Sequence, residues 1–435
     1  MNETTRGLAP AGTGPVPSVP LGAARSGAGR QLLLIASVQV LAMGTWFAAS
    51  AAAPALRTEW GLSSAQATLL TTAVQLGFVI GALVSAALNL PDIVHPPHLV
   101  TAGALLAAGS TAALAVFAHG ATTAIILRLV TGIALAGVYP VGLKLASSWF
   151  LERRGFALGA LVGALTLGST LPQLIGGSLD SAWRTGLFVS AALAVVAAVL
   201  VQRVSVGPYV ARSTGLHPRV VLSLLRDRGP LLANLGYFGH MWELYAVWAW
   251  VPTFLGASAA AYGTPLTGTA RGTLSFIALG VCGAAGCVLA GRLGDRWGRA
   301  RVAAGAMMVS GFCCLAAAFA FGRSLWLMVP VLLVWGTSVI ADSAMFSACT
   351  TSVVDSRFVG TALTFQTAVG FLITALTIQG LPVVAHAVGW PLAVAILAAG
   401  PLLGAVAMLR LHPLLSRGPG AGGPPGRFGG PVRPT

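Results

Sequence analysis

Four ionisable side chains sit inside long apolar stretches of this chain: Arg128, His240, Glu243 and Asp342. A charge at the centre of a membrane helix costs about 2.5–3.5 kcal/mol on the insertion scale, so such residues read first as functional. A carboxyl that alternates between an apolar environment and a cationic neighbour binds a proton in one and releases it in the other. Glu243 is therefore the candidate proton carrier. His240 stands three residues earlier, one helical turn away on the same face, and is placed to tune it. Asp342 is the third candidate for proton coupling. Two alternatives stay open: a permanently neutral Glu243 bonded to a neighbouring helix, and an Asp342 that snorkels or caps. Arg128 could hold a carboxylate or another small anion, or tie down backbone carbonyls.

Other chemistries lack their residues. His240 and Glu243 form an H-x-x-E pair, but one pair without further ligands is a poor metal site, and no metal is expected. The five cysteines, Cys282, Cys287, Cys313, Cys314 and Cys349, all fall in apolar segments without a metal-type spacing and read as buried thiols. There is no Walker A sequence and no catalytic cluster, so neither a nucleotide nor another cofactor is expected, and the chain is not expected to be an enzyme. A membrane-embedded enzyme or a receptor is the alternative from a different class.

The segments that must position these groups follow from composition. The chain has 435 residues, 56% hydrophobic and 8% charged. Soluble domains carry about 25% charged residues, so lipid is the solvent expected here. A membrane helix needs roughly 20 mainly apolar residues. Twelve candidates run over 31–56, 66–89, 98–118, 122–146, 155–178, 184–204, 230–254, 272–293, 301–321, 325–350, 359–383 and 390–410. The fold class expected is an all-α membrane protein of two six-helix halves, 31–204 and 230–410, joined by a central loop over 205–229. The Gly- and Pro-rich ends, 1–30 and 411–435, read as disordered tails.

Of the 25 Lys and Arg, four (Arg57, Arg184, Arg271, Arg323) fall on one side of this arrangement and Arg128 and Lys144 within a span. The other nineteen fall on the side of the two termini, which places both ends and the central loop in the cytoplasm. The same count explains the net charge of +15 without nucleic acid, since no basic, aromatic surface stands clear of the bilayer. Lys144 reads as a snorkelling anchor. Four-residue spacings of small residues, Gly77, Gly81, Ser85 and Gly155, Gly159, Gly163, predict close helix packing.

The most distinctive motif is Gly291-Arg292-Leu293-Gly294-Asp295-Arg296-Trp297-Gly298-Arg299, in a short loop between the eighth and ninth segments. Glycines allow the turn and the close helix approach. Asp295 can face a helix N-terminus, where the dipole favours an anion. Arg296 and Arg299 can pair with it or with lipid phosphates. The motif resembles the loop signature of the major facilitator superfamily. Arg128 to Gly132 is similar to that family's R-x-x-x-G pattern in span four. The equivalent loop after the second segment, Ser85 to His98, departs from the signature and has lost its basic residues. The proline and glycines of span five, Pro172, Gly176 and Gly177, lack the spacing found in the family's drug antiporters.

The resemblance implies a secondary transporter that works by alternating access between two halves, here for a small organic or anionic solute with protons as partner. A drug or metabolite efflux antiporter is the alternative. It also implies that spans one, four, seven and ten line a central cavity. On those spans Gln39, Trp46, Arg128, Tyr139, Tyr237 and Trp335 are the substrate-cavity candidates. The expected setting is the cell membrane, with the lipid bilayer, a small-molecule substrate and protons as partners and a monomer as the working unit.

Overall fold

The computed structural model describes residues 21–150, 153–178, 182–209 and 221–416. Among them, twelve helices are long and apolar enough to cross a membrane. In chain order they are span 1 (Gly27–Trp60), span 2 (Ser64–Ala87), span 3 (Pro96–Phe117), span 4 (Ala121–Ser147), span 5 (Arg154–Gly176) and span 6 (Trp183–Arg203). The second half holds span 7 (Arg228–Ala261), span 8 (Gly268–Trp297), span 9 (Arg299–Ala320), span 10 (Leu325–Val353), span 11 (Val359–Val388) and span 12 (Trp390–Ser416). Each coincides with one expected segment. The first helix begins at Leu21, inside the stretch expected to be a tail, and the last ends at Ser416. The remainder of both tails, and residues 210–220 of the central loop, lie outside the described residues.

Close helix packing is set by glycine. Span 2 lies on span 4 so tightly that a Cβ on Gly77 or Gly81 would run into the Leu129 and Ile133 carbonyls. From the other side, Gly132 meets the Val74 carbonyl. Between the halves, span 5 lies on span 8 through Gly155 on Gly291, Gly159 on Cys287 and Gly163 on Ala284. With no room for side chains, dispersion and backbone contact replace the hydrophobic drive that is absent in lipid.

Several spans are interrupted. Regular helix stops at Met43 and resumes at Ala48 in span 1, stops at Ala136 and resumes at Tyr139 in span 4, and stops at Val339 and resumes at Ser343 in span 10. Span 8 widens into a π-type turn over Phe276–Cys282. Broken helices survive in a membrane only where other groups satisfy the freed backbone.

The halves meet through an aromatic cluster at the centre. Trp46 contacts Phe78 (ring centroids 5.1 Å), Phe371 (5.6 Å) and Tyr245 (5.8 Å). Phe47 lies edge-on to Trp248 at 5.9 Å. Trp46, Phe47 and Phe78 come from the first half, and Tyr245, Trp248 and Phe371 from the second, so the cluster plugs the path between them. On the face that carries the arginine-rich loops the halves are shut by the span 5–span 8 ladder. On the opposite face a cleft of about 180 Å³ opens between spans 1, 5, 6, 7 and 8.

Candidate functional site

In the second half, three spans converge on Glu243, which is 2% exposed. Its Oε1 accepts from Trp335 Nε1 at 2.6 Å, Ser310 Oγ at 2.7 Å and Cys314 Sγ at 3.0 Å. Ser310 and Cys314 are one turn apart on span 9, so both reach the same acceptor. All three donors are neutral, and among the described residues no cation lies within ion-pair distance of Glu243.

His240 shares the span 7 face with Glu243 but turns to a different partner. Its Nδ1 lies 2.9 Å from Asp342 Oδ1, with both side chains buried. The contact is close, but by hydrogen-bond geometry Oδ1 has no aligned donor among the described residues. The other ring nitrogen, Nε2, is buried without a partner. Asp342 stands where span 10 breaks, just before Ser343. Tyr237 and Phe346 pack around the imidazole, at 6.2 and 5.2 Å between centroids.

The first half treats its broken helices in a parallel way. Gln39 of span 1, fully buried, donates from Nε2 to the Val138 carbonyl at the break in span 4 (3.2 Å). Its Oε1 has no partner. Gln39 to span 4 and His240 to span 10 thus link corresponding helices of the two halves. Tyr139 starts the segment of span 4 after that break.

Arg128 is fully buried, and its guanidinium is taken up by backbone. It donates from Nη1 to Thr45 O at 2.9 Å, from Nε to Leu70 O at 3.3 Å, and from Nη2 to Trp46 O. Thr45 and Trp46 lie in the gap of span 1, so Arg128 supplies donors to carbonyls that the break has released. It supports Trp46 from behind, with each guanidinium nitrogen bonded to a backbone carbonyl. Among the sequence candidates, the structure brings Glu243 to Trp335 and His240 to Asp342 and Tyr237. It holds Arg128 to Trp46 through the backbone and does not bring Arg128 or His240 to Glu243.

The loop motif closes the arginine-rich face. Asp295 Oδ1 accepts from Gly155 N and Oδ2 from Phe156 N, each at 3.2 Å, in the first turn of span 5. The N-terminal N–H groups of a helix have no partner within it, so the carboxylate fills a vacancy and meets the positive end of the dipole. Gly298 turns the chain at φ +91°, open to glycine, and Gly291 admits the Gly155 backbone. Arg296 is exposed and Arg299 half-buried beside Gly294. The degraded loop behaves differently. Asp92 pairs with Lys144 of span 4 at 2.6 Å, within its own half. Across from it, Asp355 accepts from the Arg357 backbone and side chain, which holds its carboxyl down to about 2. The carboxylate latch between halves is therefore one-sided among the described residues.

Sequence reasoning missed Arg271. It lines the cleft on the face opposite the arginine loops, together with Gln173 and Trp248. Gln173 Nε2 crosses between the halves to the Trp248 carbonyl at 2.7 Å. A small residue at Gly256, under the Arg271 side chain, was the available signal.

The family model described as Major Facilitator Superfamily matches residues 35–378. The chain is 26% identical over 182 residues to the "Putative uncharacterized transporter YgaY" of Escherichia coli (strain K12), and to the same extent to the "Uncharacterized transporter YgaY" of Escherichia coli O157:H7. Each alignment covers 40% of this chain and 43% of the relative, so the chain matches less than half the length of either.

Proposed function

The chain belongs to the major facilitator superfamily, and from that premise we propose that it is a proton-coupled secondary transporter of a small organic or anionic solute. It works in the cell membrane as a single chain, with both termini in the cytoplasm. Its two halves rock about the aromatic cluster, exposing the centre to one face at a time.

The observation that carries this reading is the Glu243 carboxyl, buried among three neutral donors with no cation beside it among the described residues. The donors all point at Oε1, which leaves Oε2 to carry a proton. Ionised, the carboxylate draws Ser310, Cys314 and Trp335 toward span 7, since hydrogen bonds to a charged acceptor are about twice as strong as neutral ones. Protonated, it holds spans 9 and 10 less tightly. Loading and release of one proton thereby alters the packing of three spans, one of which breaks about one helical turn past Trp335. His240 and Asp342 lie at that break and feel the same movement. The orientation rests on the arginine asymmetry along the sequence.

The test is proton movement in sealed proteoliposomes with an internal pH dye and a panel of radiolabelled organic anions, cations and neutral solutes. Movement of a solute down its gradient should shift the internal pH, and a protonophore should abolish accumulation. Solute movement with no accompanying pH change rules out proton coupling.

A further inference from the structure

We propose that the cleft facing away from the arginine-rich loops is a binding site for a small organic carboxylate with a compact apolar body, held at its charged end by Arg271. The proposal rests on the transporter reading above and names the solute class.

The cleft lies between the halves, walled by Phe47 of span 1, Pro172 and Gln173 of span 5, Trp248 and Pro252 of span 7, and Arg271 of span 8. Among the described residues, Arg271 is the one charged residue in its lining. Among the described residues on that face, Glu59 is already paired: it meets Arg184 at 2.8 Å and accepts from the lining residue Trp183 at 2.6 Å. Arg271 thus gives the described lining a positive charge, whose field low-dielectric walls concentrate.

Polar groups without partners are gathered around this space. Arg271 Nε is buried and unpaired, as are Gln173 Oε1 and Trp248 Nε1. The Gln173 and Trp248 residues are 8% and 1% exposed. Buried polar atoms normally find partners, so three orphans around one cleft mark it as built to receive something. The guanidinium and the indole N–H are donors suited to a carboxylate, and the Gln173 oxygen accepts from a hydroxyl or an acid proton. Arg128, the other arginine of the interior, does not line this cleft, and each of its guanidinium nitrogens already bonds a backbone carbonyl.

Size and walls set the rest of the ligand. A cavity of about 150 Å³ takes a benzene ring, and this one is about 180 Å³. The aromatic and proline walls favour a ring or a short branched alkyl group. Gly256 gives the arginine its place: an added Cβ there would sit 2.8 Å from Arg271 Cδ and 3.0 Å from Nη1.

The experiment measures equilibrium binding of radiolabelled benzoate to the full-length protein in nanodiscs, with no gradient. Benzamide and benzylamine serve as neutral and cationic competitors of the same shape. Benzoate should bind saturably and neither analogue should displace it. Arg271→Gln should weaken binding at least about tenfold, the loss expected for one strong ion pair. Gly256→Ala, which shifts the guanidinium without removing it, should weaken binding by less. Arg323→Gln, an arginine on the same face stacked on Phe319, should bind as the parent does. The proposal is overturned if benzoate does not bind, if benzamide or benzylamine competes equally, or if Arg271→Gln and Gly256→Ala both bind like the parent. Saturable benzoate binding without gradient-driven uptake would instead remove the proton-coupling reading and leave this site standing.

Discussion

Replacing Asp295 by asparagine removes one charge from the contact that shuts the arginine-rich face and little else. The carboxylate accepts two backbone N–H groups of span 5, each at 3.2 Å, and meets the positive end of that helix. Asparagine keeps one acceptor oxygen, so one N–H loses its partner and the other loses the charge assistance. A charged bond at a helix N-terminus is worth about 0.3–1 kcal/mol at an exposed site and more when buried. Asp295 is exposed and both bonds are long, so solvent screening keeps the loss within the exposed range, and with two bonds affected it comes to about 1 kcal/mol. That shifts the equilibrium toward opening of this face roughly fivefold. The chain carries its own probe. Cys287 is 1% exposed and packs against Gly159 at the span 5–span 8 contact, one turn deeper than Gly155 and Gly291. A maleimide reaches it only when the halves part, so its alkylation rate reports the open population. Asp295→Asn should alkylate Cys287 about fivefold faster, with Cys287→Ser as the background control. An unchanged rate in Asp295→Asn would mean that the loop motif does not hold the halves together.

Three further outcomes follow from packing and polar satisfaction. Gly132→Ala should cost about 1–3 kcal/mol, read as a lower unfolding temperature in detergent, because its Cβ meets the Val74 carbonyl; Gly109→Ala, with open space around its Cβ, should not move it. Arg128→Gln should leave at least one buried carbonyl of span 1 or span 2 unpaired, at about 1–3 kcal/mol for each, and lower the yield of folded protein; a variant as stable as the parent would make Arg128 a ligand group and not a support. Asp92→Asn and Lys144→Gln should each destabilise, and the double variant should recover about 1 kcal/mol of coupling, since the pair is only 12–20% exposed; additive losses would show that the two charges act independently.

The twelve spans were legible because a lipid-crossing helix needs its own continuous apolar run, a local property of the sequence. The glycine spacings on spans 2 and 5 were legible for a similar reason: they lie on one helix face, and only the identity of the facing helix was missing. The breaks near Thr45, Val138 and Ile340 were not legible. Each depends on a group from elsewhere in the chain, such as Arg128 for the carbonyls of span 1 and Gln39 for that of Val138. Helical spacing put His240 beside Glu243, but spacing sets a shared face and not a partner, and the imidazole turns to Asp342 across the interface. Arg271 counted only as a charge on one side of the membrane. Its place in a cleft comes from Gly256 and from residues on three other spans, and no local pattern records that.

Glu243→Gln tests the central claim most directly. Glutamine keeps the shape and an acceptor for Ser310, Cys314 and Trp335, but it cannot ionise. In proteoliposomes, gradient-driven accumulation of the solute and its exchange at equal pH are measured side by side. Loss of accumulation with exchange retained is the predicted result. Accumulation by Glu243→Gln as strong as that of the parent would show that the carboxyl is structural and that no proton is carried there.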